Sequence, residues 1–232
     1  MSPGKLESPL PSSDFLEVMR TACAVRRYRD LPVPKEVLAA CLRAATWAPS
    51  GSNAQQWRFC VLDDPEIRKL VADAYRQGWR DLQAVQGVNY AADDVSPKAR
   101  TARTMEFFVE HIEAAPALVL FCFRDHRSGR SSSSYVSPEF MIGGSIFPAV
   151  QNFVLAARAA GLGTVITSWF RYREKELREL IGIPDDYALA ALLPVGYPVG
   201  HHHPVRRRPL EEVTCMDRWD SQFLVHESKT AS

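Results

Sequence analysis

No apolar run in this chain approaches the ~20 residues that a membrane-crossing helix needs, so a spanning segment is not expected. The N-terminal MSPGKLESPLPSSDF carries one lysine, two acids and no apolar block. That is not the pattern of a signal peptide, and the expected address is the cytoplasm. An excess of one charge is missing too: 28 basic and 27 acidic side chains leave a formal charge of +1. Nucleic-acid binders and membrane-surface proteins carry a basic excess, so neither partner is expected. Cysteine is sparse and irregular. Cys23, Cys41, Cys60, Cys122 and Cys215 are odd in number and never spaced C-x-x-C, which speaks against a disulfide framework or structural zinc. Most read as small apolar core residues. Neither G-x-G-x-x-G nor G-x-x-x-x-G-K-[ST] occurs, which removes the main support for Rossmann and P-loop readings. There is no internal repeat and no sign of a second domain.

What is present is a core-forming chain. Its 232 residues are 46% apolar and 24% charged, and a domain of this size buries roughly 70–75% of its unfolded surface. Residues 1–13, rich in Pro and Ser, read as a flexible arm. Asp14 caps a short helix, with Glu17 as its reciprocal partner. Pro34 starts a second helix, with Val37, Leu38, Cys41, Leu42 and Ala45 on its apolar face, stopping near Ala48 before Pro49 and Gly51. Trp57–Leu62 reads as a strand, and Asp64-Pro65-Glu66 opens a helix. Residues 80–103 are polar and weakly periodic, and suggest a mobile helical excursion outside the core. Ala117–Phe123 is a strand-length apolar run, followed by a loose loop over 124–137. Residues 138–160 form the most buried helix, with Met141, Ile142, Ile146, Phe147, Val150, Phe153, Val154 and Leu155 around most of its circumference. Such a helix belongs in an interior or a subunit interface. Gly161 ends it. Thr164–Ser168 reads as a short strand, 174–181 as a helix closed by Gly182, and Ala188–Val195 as a strand. The Pro- and Arg-rich tail after Gly196 has few apolar anchors and is expected to wrap another surface.

Three features bear chemistry. Arg26-Arg27-x-Arg29 and Arg206-Arg207-Arg208 are two arginine clusters far apart in sequence. Guanidinium forks match phosphate oxygens, although a single cluster is equally a solvated surface charge. In Ala48-Pro49-Ser50-Gly51-Ser52-Asn53-Ala54-Gln55-Gln56-Trp57, small residues let backbone N–H groups approach a ligand. Asn53 and Gln55 can donate and accept on one edge of a heterocycle. The plainer reading is a polar turn. Gly161-Leu162-Gly163-Thr164-Val165-Ile166-Thr167-Ser168 leaves room for a flat ligand, or is simply a tight helix-to-strand connection. His201-His202-His203 reads as an exposed loop, because consecutive side chains of an extended chain do not converge on one metal. Tyr75, Trp79, Tyr90 and Phe107 read as core or lid packing.

Taken in order, Ala24-Val25-Arg26-Arg27-Tyr28, Pro32-Val33-Pro34, Ala48–Asn53, Trp57-Arg58-Phe59, Gly161–Thr164, Leu193–Pro198 and Arg206–Leu210 resemble the nitroreductase-like flavoprotein family. The branch that includes mycobacterial nitroreductases and iodotyrosine deiodinase is the most similar. The resemblance implies an α+β sandwich, with a central, mainly antiparallel sheet flanked by helices. It implies an intertwined homodimer with two FMN at its interface. One family domain would cover 14–213, followed by a C-terminal tail over 214–232, and the segment after Gly196 would cross to the partner and add an edge strand. Arg26 and Arg207 match phosphate-binding positions, with Arg27, Arg29, Arg206 and Arg208 beside them. Pro49, Ser50, Gly51 and Asn53 match the turn that meets the flavin from the other subunit. Ile166, Thr167 and Ser168 match the segment at the flavin N5 edge, and Ser168 or a backbone N–H near Thr167 is the candidate N5 donor. No protein nucleophile or acid–base dyad is implied, since the cofactor carries the chemistry.

The implied activity is hydride transfer from NADH or NADPH, through flavin N5, to small nitroaromatic or quinone-like acceptors by a ping-pong mechanism. The alternatives are a non-catalytic flavin store, and a flavin-fragmenting or dehalogenating member of the family. Ala22 and Cys23 stand where the family has two basic residues, Gln56 stands where it has proline, and 166–168 lacks the glutamate of the enterobacterial branch. No Glu–Tyr–Lys trio that would grip a zwitterionic substrate can be placed in 75–110. Selective turnover of iodotyrosine is therefore not expected.

Overall fold

The computed structural model describes residues 14–86, 93–124 and 138–221, the first residues of the last stretch (138–142) by backbone alone. The expected arm over 1–13, the loop after Arg124, Tyr90, and the side chains of Met141 and Ile142 lie outside the described residues.

Four strands, β1 (Trp57–Leu62), β2 (Ala117–Arg124), β3 (Gly163–Thr164) and β4 (Tyr187–Gly196), form one sheet in the order β1-β2-β4-β3. Every pairing is antiparallel. Among the described residues, six α-helices surround it: α1 (Phe15–Thr21), α2 (Lys35–Ala45), α3 (Pro65–Gln86), α4 (Pro97–Glu110), α5 (Pro138–Ala159) and α6 (Glu174–Ile181).

β2 explains the layering. Its side chains alternate between two faces, and both are buried. Val119, Phe121 and Phe123 pack with Leu38 of α2 and Ile146, Val150 and Phe153 of α5. Leu118, Leu120 and Cys122 pack with Val71 and Tyr75 of α3, Phe108 of α4 and Leu177 of α6. A strand buried on both faces reads as an unbroken apolar run.

Several termini form as their residues dictate. Asp14 Oδ1 accepts from the backbone N–H of Leu16 and Glu17, and Asp64 Oδ1 from those of Glu66 and Ile67. Glu17 is not the reciprocal partner expected: its carboxylate takes the Arg20 guanidinium. Pro34 is the residue before α2 rather than its first turn.

Two larger expectations need correction. Residues 80–86 continue α3, and Leu82 is buried. The stripe Tyr75, Gly78–Trp79, Leu82 keeps helical spacing, which the surrounding charges obscure. α4 is capped by Ser96, and its Ala99 is buried within the fold. The Thr164–Ser168 strand shrinks to Gly163–Thr164, with Thr167 returning as an isolated bridge to Leu192. α5 is apolar but not enclosed within one chain. Ile146, Ala149, Val150 and Phe153 face the core, while Phe147 remains 47% exposed and Gln151 points outward.

Candidate functional site

Residues 20–29 and 197–207 meet beside β3. Val25 N–H donates to Thr164 O at 2.9 Å, and Ala24 bridges Thr164 in parallel, which sets residues 24–26 along the sheet edge. On leaving β4 the chain doubles back. Val199 N–H donates to Arg27 O at 3.1 Å, Arg29 N–H donates to Tyr197 O at 2.8 Å, and Val205 N–H donates to Arg20 O at 2.9 Å. Between these clasps lies a cleft of about 1070 Å³, walled by Cys23 and Arg26, by Gln151 of α5, by Ile166, and by Arg206 and Arg207. Clefts of roughly 300–1,000 Å³ accommodate drug-sized ligands, so a cofactor-sized molecule fits.

Arg26 gives the cleft its clearest demand. Its Nε is buried and has no hydrogen-bond partner among the described residues. A buried guanidinium N–H left unpaired costs on the order of 1–3 kcal/mol, and an anion in the cleft would satisfy it. Arg207, exposed, lines the same cleft, its Nη1 donating to Arg206 O at 2.8 Å. Two arginine forks facing one space suit a phosphate group.

The other arginines are placed differently. Arg27 lays its guanidinium 4.0 Å from the centroid of the Phe107 ring, whose other neighbour is His111, stacked at 4.2 Å. Arg29 Nε donates to Pro198 O at 2.9 Å. Arg208 is exposed and does not line the cleft.

The 166–168 segment divides its duties. Ile166 lines the cleft. Thr167 is fully committed: its N–H and C=O pair with Leu192 at 3.1 and 2.9 Å. Its buried hydroxyl pairs with the hydroxyl of Tyr75, a wholly buried α3 residue. Burial pushes the Tyr75 phenol well above its usual range, with the Thr167 bond and nearby Arg26 opposing, so it stays protonated. Ser168 is exposed. The Thr167 backbone N–H is thereby removed as a candidate donor to a ligand, and Ser168 remains. Gly161 and Gly163, read as room for a ligand, serve the chain itself. Gly161 has φ +75° at the end of α5, and a Cβ on Gly163 would sit 2.5 Å from Val25.

Pro49, Ser50, Gly51 and Asn53 do not line the cleft. They form an exposed turn elsewhere on the chain, in which Ser52, Asn53 and Gln55 have φ of 54°, 52° and 50°. Left-handed backbone at non-glycine residues costs of order 1–3 kcal/mol each and marks functional turns. Gly51 N–H donating to Ser145 Oγ at 3.1 Å and Gln55 N–H donating to Ser50 Oγ at 3.0 Å hold the turn.

Sequence reasoning missed His203, Pro204 and Val205, which also wall the cleft. The histidine triplet is thus not merely an exposed loop. His202 is half-buried with both ring nitrogens unpaired among the described residues, and burial holds its pKa down. Proximity to Arg206 was the available signal. Among the described residues, no group of three or more His, Cys, Asp or Glu side chains could hold a metal ion, and no helix is long and apolar enough to cross a membrane.

With this geometry in view, the comparisons are specific. The sequence profile of the Nitroreductase family matches residues 19–197. An NADH dehydrogenase of Thermus thermophilus is 29% identical over 217 residues, covering 90% of this chain and 98% of its own. Iodotyrosine deiodinase of Drosophila melanogaster is 29% identical over 207 residues, covering 84% of this chain and 66% of its own. The chain spans about two thirds of the length of the deiodinases it matches. Among solved structures, oxidized iodotyrosine deiodinase bound to FMN and 3-iodo-L-tyrosine superposes with a TM-score of 0.63 at 23% identity, covering 90% of this chain and 100% of the other.

Proposed function

This chain belongs to the nitroreductase family, and from that premise we propose that it is an FMN-dependent oxidoreductase. Its electron donor is NADH or NADPH, and its acceptors are nitroaromatic or quinone-like molecules. The working unit is a homodimer. The observation that carries the reading is the convergence of Arg26 and Arg207 on one cleft, where Arg26 Nε is buried without a partner.

The residues present fit the cofactor. Arg26 and Arg207 would hold the phosphate, with Arg206 beside them. Ile166 and Ser168 would border the ring system, and the 49–53 turn of a second copy would cover it. FMN would supply two-electron acceptance and donation when bound. The chain's own work is binding and placement. Arg26, whose Nε is already buried, would gain a charge-assisted bond there. Thr167, tied to Leu192 and Tyr75, fixes the backbone from which Ser168 presents its N–H and hydroxyl. Ala22 and Cys23 add no charge beside the phosphate position, which concentrates the load on Arg26 and Arg207. Donor and acceptor use one site in turn, giving ping-pong kinetics.

Reductive dehalogenation is the second reading, favoured by the deiodinases among the relatives. A visible spectrum of the purified protein, before and after NADH or NADPH, tests the cofactor, with bound flavin at about one per chain and bleaching expected. A colourless protein that takes up no FMN would sink the proposal. Anaerobic assays with a nitroaromatic, a quinone and an iodotyrosine then separate the two readings. Turnover of iodotyrosine alone selects the second.

A further inference from the structure

His203 lines the cleft together with Cys23, Arg26, Arg206 and Arg207. Among the described residues of that lining there is no aspartate or glutamate. The arginines carry a fixed charge, whereas imidazole is the side chain whose charge changes between about pH 5 and 8.

The ring's hydrogen bonding fixes the role of each nitrogen. His203 Nδ1 lies 3.2 Å from Pro204 O. A carbonyl oxygen only accepts, so Nδ1 carries the proton of that bond. In the neutral ring Nε2 is then bare, and its lone pair repels an anion. In the imidazolium Nε2 carries a proton and donates to one. The side chain is exposed, so protons reach it freely. The chain around it is held: Val205 N–H donates to Arg20 O at 2.9 Å, and Pro204 restricts the backbone between the ring and that clasp. His202 is not a second arm, since it does not line the cleft and both its ring nitrogens are buried.

We propose that His203 is a proton-gated arm of this cleft, donating from Nε2 to a bound phosphomonoester as imidazolium and losing that contact with its proton. Under the FMN reading, on which this assignment rests, that group is the cofactor phosphate; free phosphate shares the chemistry. A phosphomonoester gives up its second proton near about pH 6, so its attraction to fixed arginines weakens as pH falls. His203 gains charge over the same range and offsets the loss. By reciprocity, a ligand that prefers the imidazolium draws a proton onto the ring when it binds.

The test titrates FMN into flavin-free wild type, His203→Gln and His203→Lys at about pH 5.5 and 8.5, which bracket the ordinary imidazole titration. At the lower pH wild type should bind about tenfold tighter than His203→Gln, and at the higher pH the two should agree within about twofold. His203→Lys, charged at both, should bind at least as tightly as wild type at both. Riboflavin, which lacks the phosphate, should not distinguish the three chains. Wild-type ring resonances decide without any variant: the His203 ring should keep its proton to higher pH with FMN bound than without. The proposal falls if the ratio of wild-type to His203→Gln affinities is the same at both pH values, if riboflavin reproduces the difference, if His202→Gln removes the pH response, or if the ring titrates identically with and without ligand. A chain that takes up no FMN at either pH overturns the cofactor reading instead. Inorganic phosphate followed through the same resonances then decides: a saturable shift confined to the lower pH supports the arm, and no shift overturns it.

Discussion

An arginine alone on a surface is solvated and contributes little; Arg26 and Arg207 differ because the fold sets them in one cleft. Arg207→Ala is expected to weaken FMN binding by ~2–4 kcal/mol, roughly 30- to 1,000-fold in dissociation constant. Fluorescence titration reads this directly, and unchanged affinity would move the phosphate role to Arg206. Tyr75 acts at the same scale without touching the cleft. Its hydroxyl bonds that of buried Thr167, so Tyr75→Phe leaves a buried hydroxyl unpaired. A loss of about 1–3 kcal/mol in urea unfolding is expected. Combining it with Thr167→Val should recover part of that loss, because both polar partners are then gone. Full additivity of the two variants would show that the bond contributes nothing. Of the individual residues, the arginines were legible because charge clusters stand out in any sequence. Tyr75 was legible only as core, since nothing local says where a buried hydroxyl finds its partner.

Elements were legible wherever local chemistry and tertiary demand agree. β1 and α6 fall on the expected residues, β1 as an apolar run ended before Asp64-Pro65 and α6 as an amphipathic segment closed by Gly182. The end of α3 was hidden, because its buried stripe is one residue wide and surrounded by charge. The 49–55 turn was read as accommodating, yet its left-handed serine, asparagine and glutamine could not be foreseen. Such backbone is imposed by the contacts around it and not by the residues' own preferences. β3 shows close approach setting an identity: Gly163 faces Val25 with no space for a Cβ. Gly163→Ala should lower stability by roughly 1–3 kcal/mol, and Val25→Ala in the same chain should restore much of it. Thermal unfolding of the three variants checks this, and equal losses with and without Val25 would refute the steric account.

At the scale of the molecule, one chain leaves apolar surface uncovered. Trp47 is 72% exposed, Phe147 of α5 nearly half so, and the strained turn beside α5 faces outward. Sequence periodicity made α5 apolar on most sides, but it could not say which part is met within the chain and which by a second copy. We expect a homodimer that persists at micromolar concentration, measured by sedimentation equilibrium. Phe147→Glu should shift it toward monomer and reduce flavin content together. A stable monomer retaining its full flavin would contradict both the assembly and the role of the turn.

The meeting of Arg26 with Arg207 also bears on the order of events at the ribosome. The sheet is complete once Gly196 has emerged, and a nascent chain paused there already has its last strand to pair. The far wall of the cleft arrives only with residues 203–207. Any ligand that needs both arginines is therefore excluded until residues 203–207 have emerged, and its capture then holds that segment against α1. A chain clipped after β4 is expected to keep its sheet but lose the cleft's far wall, so its cargo would tell it from one that carries residues 203–207.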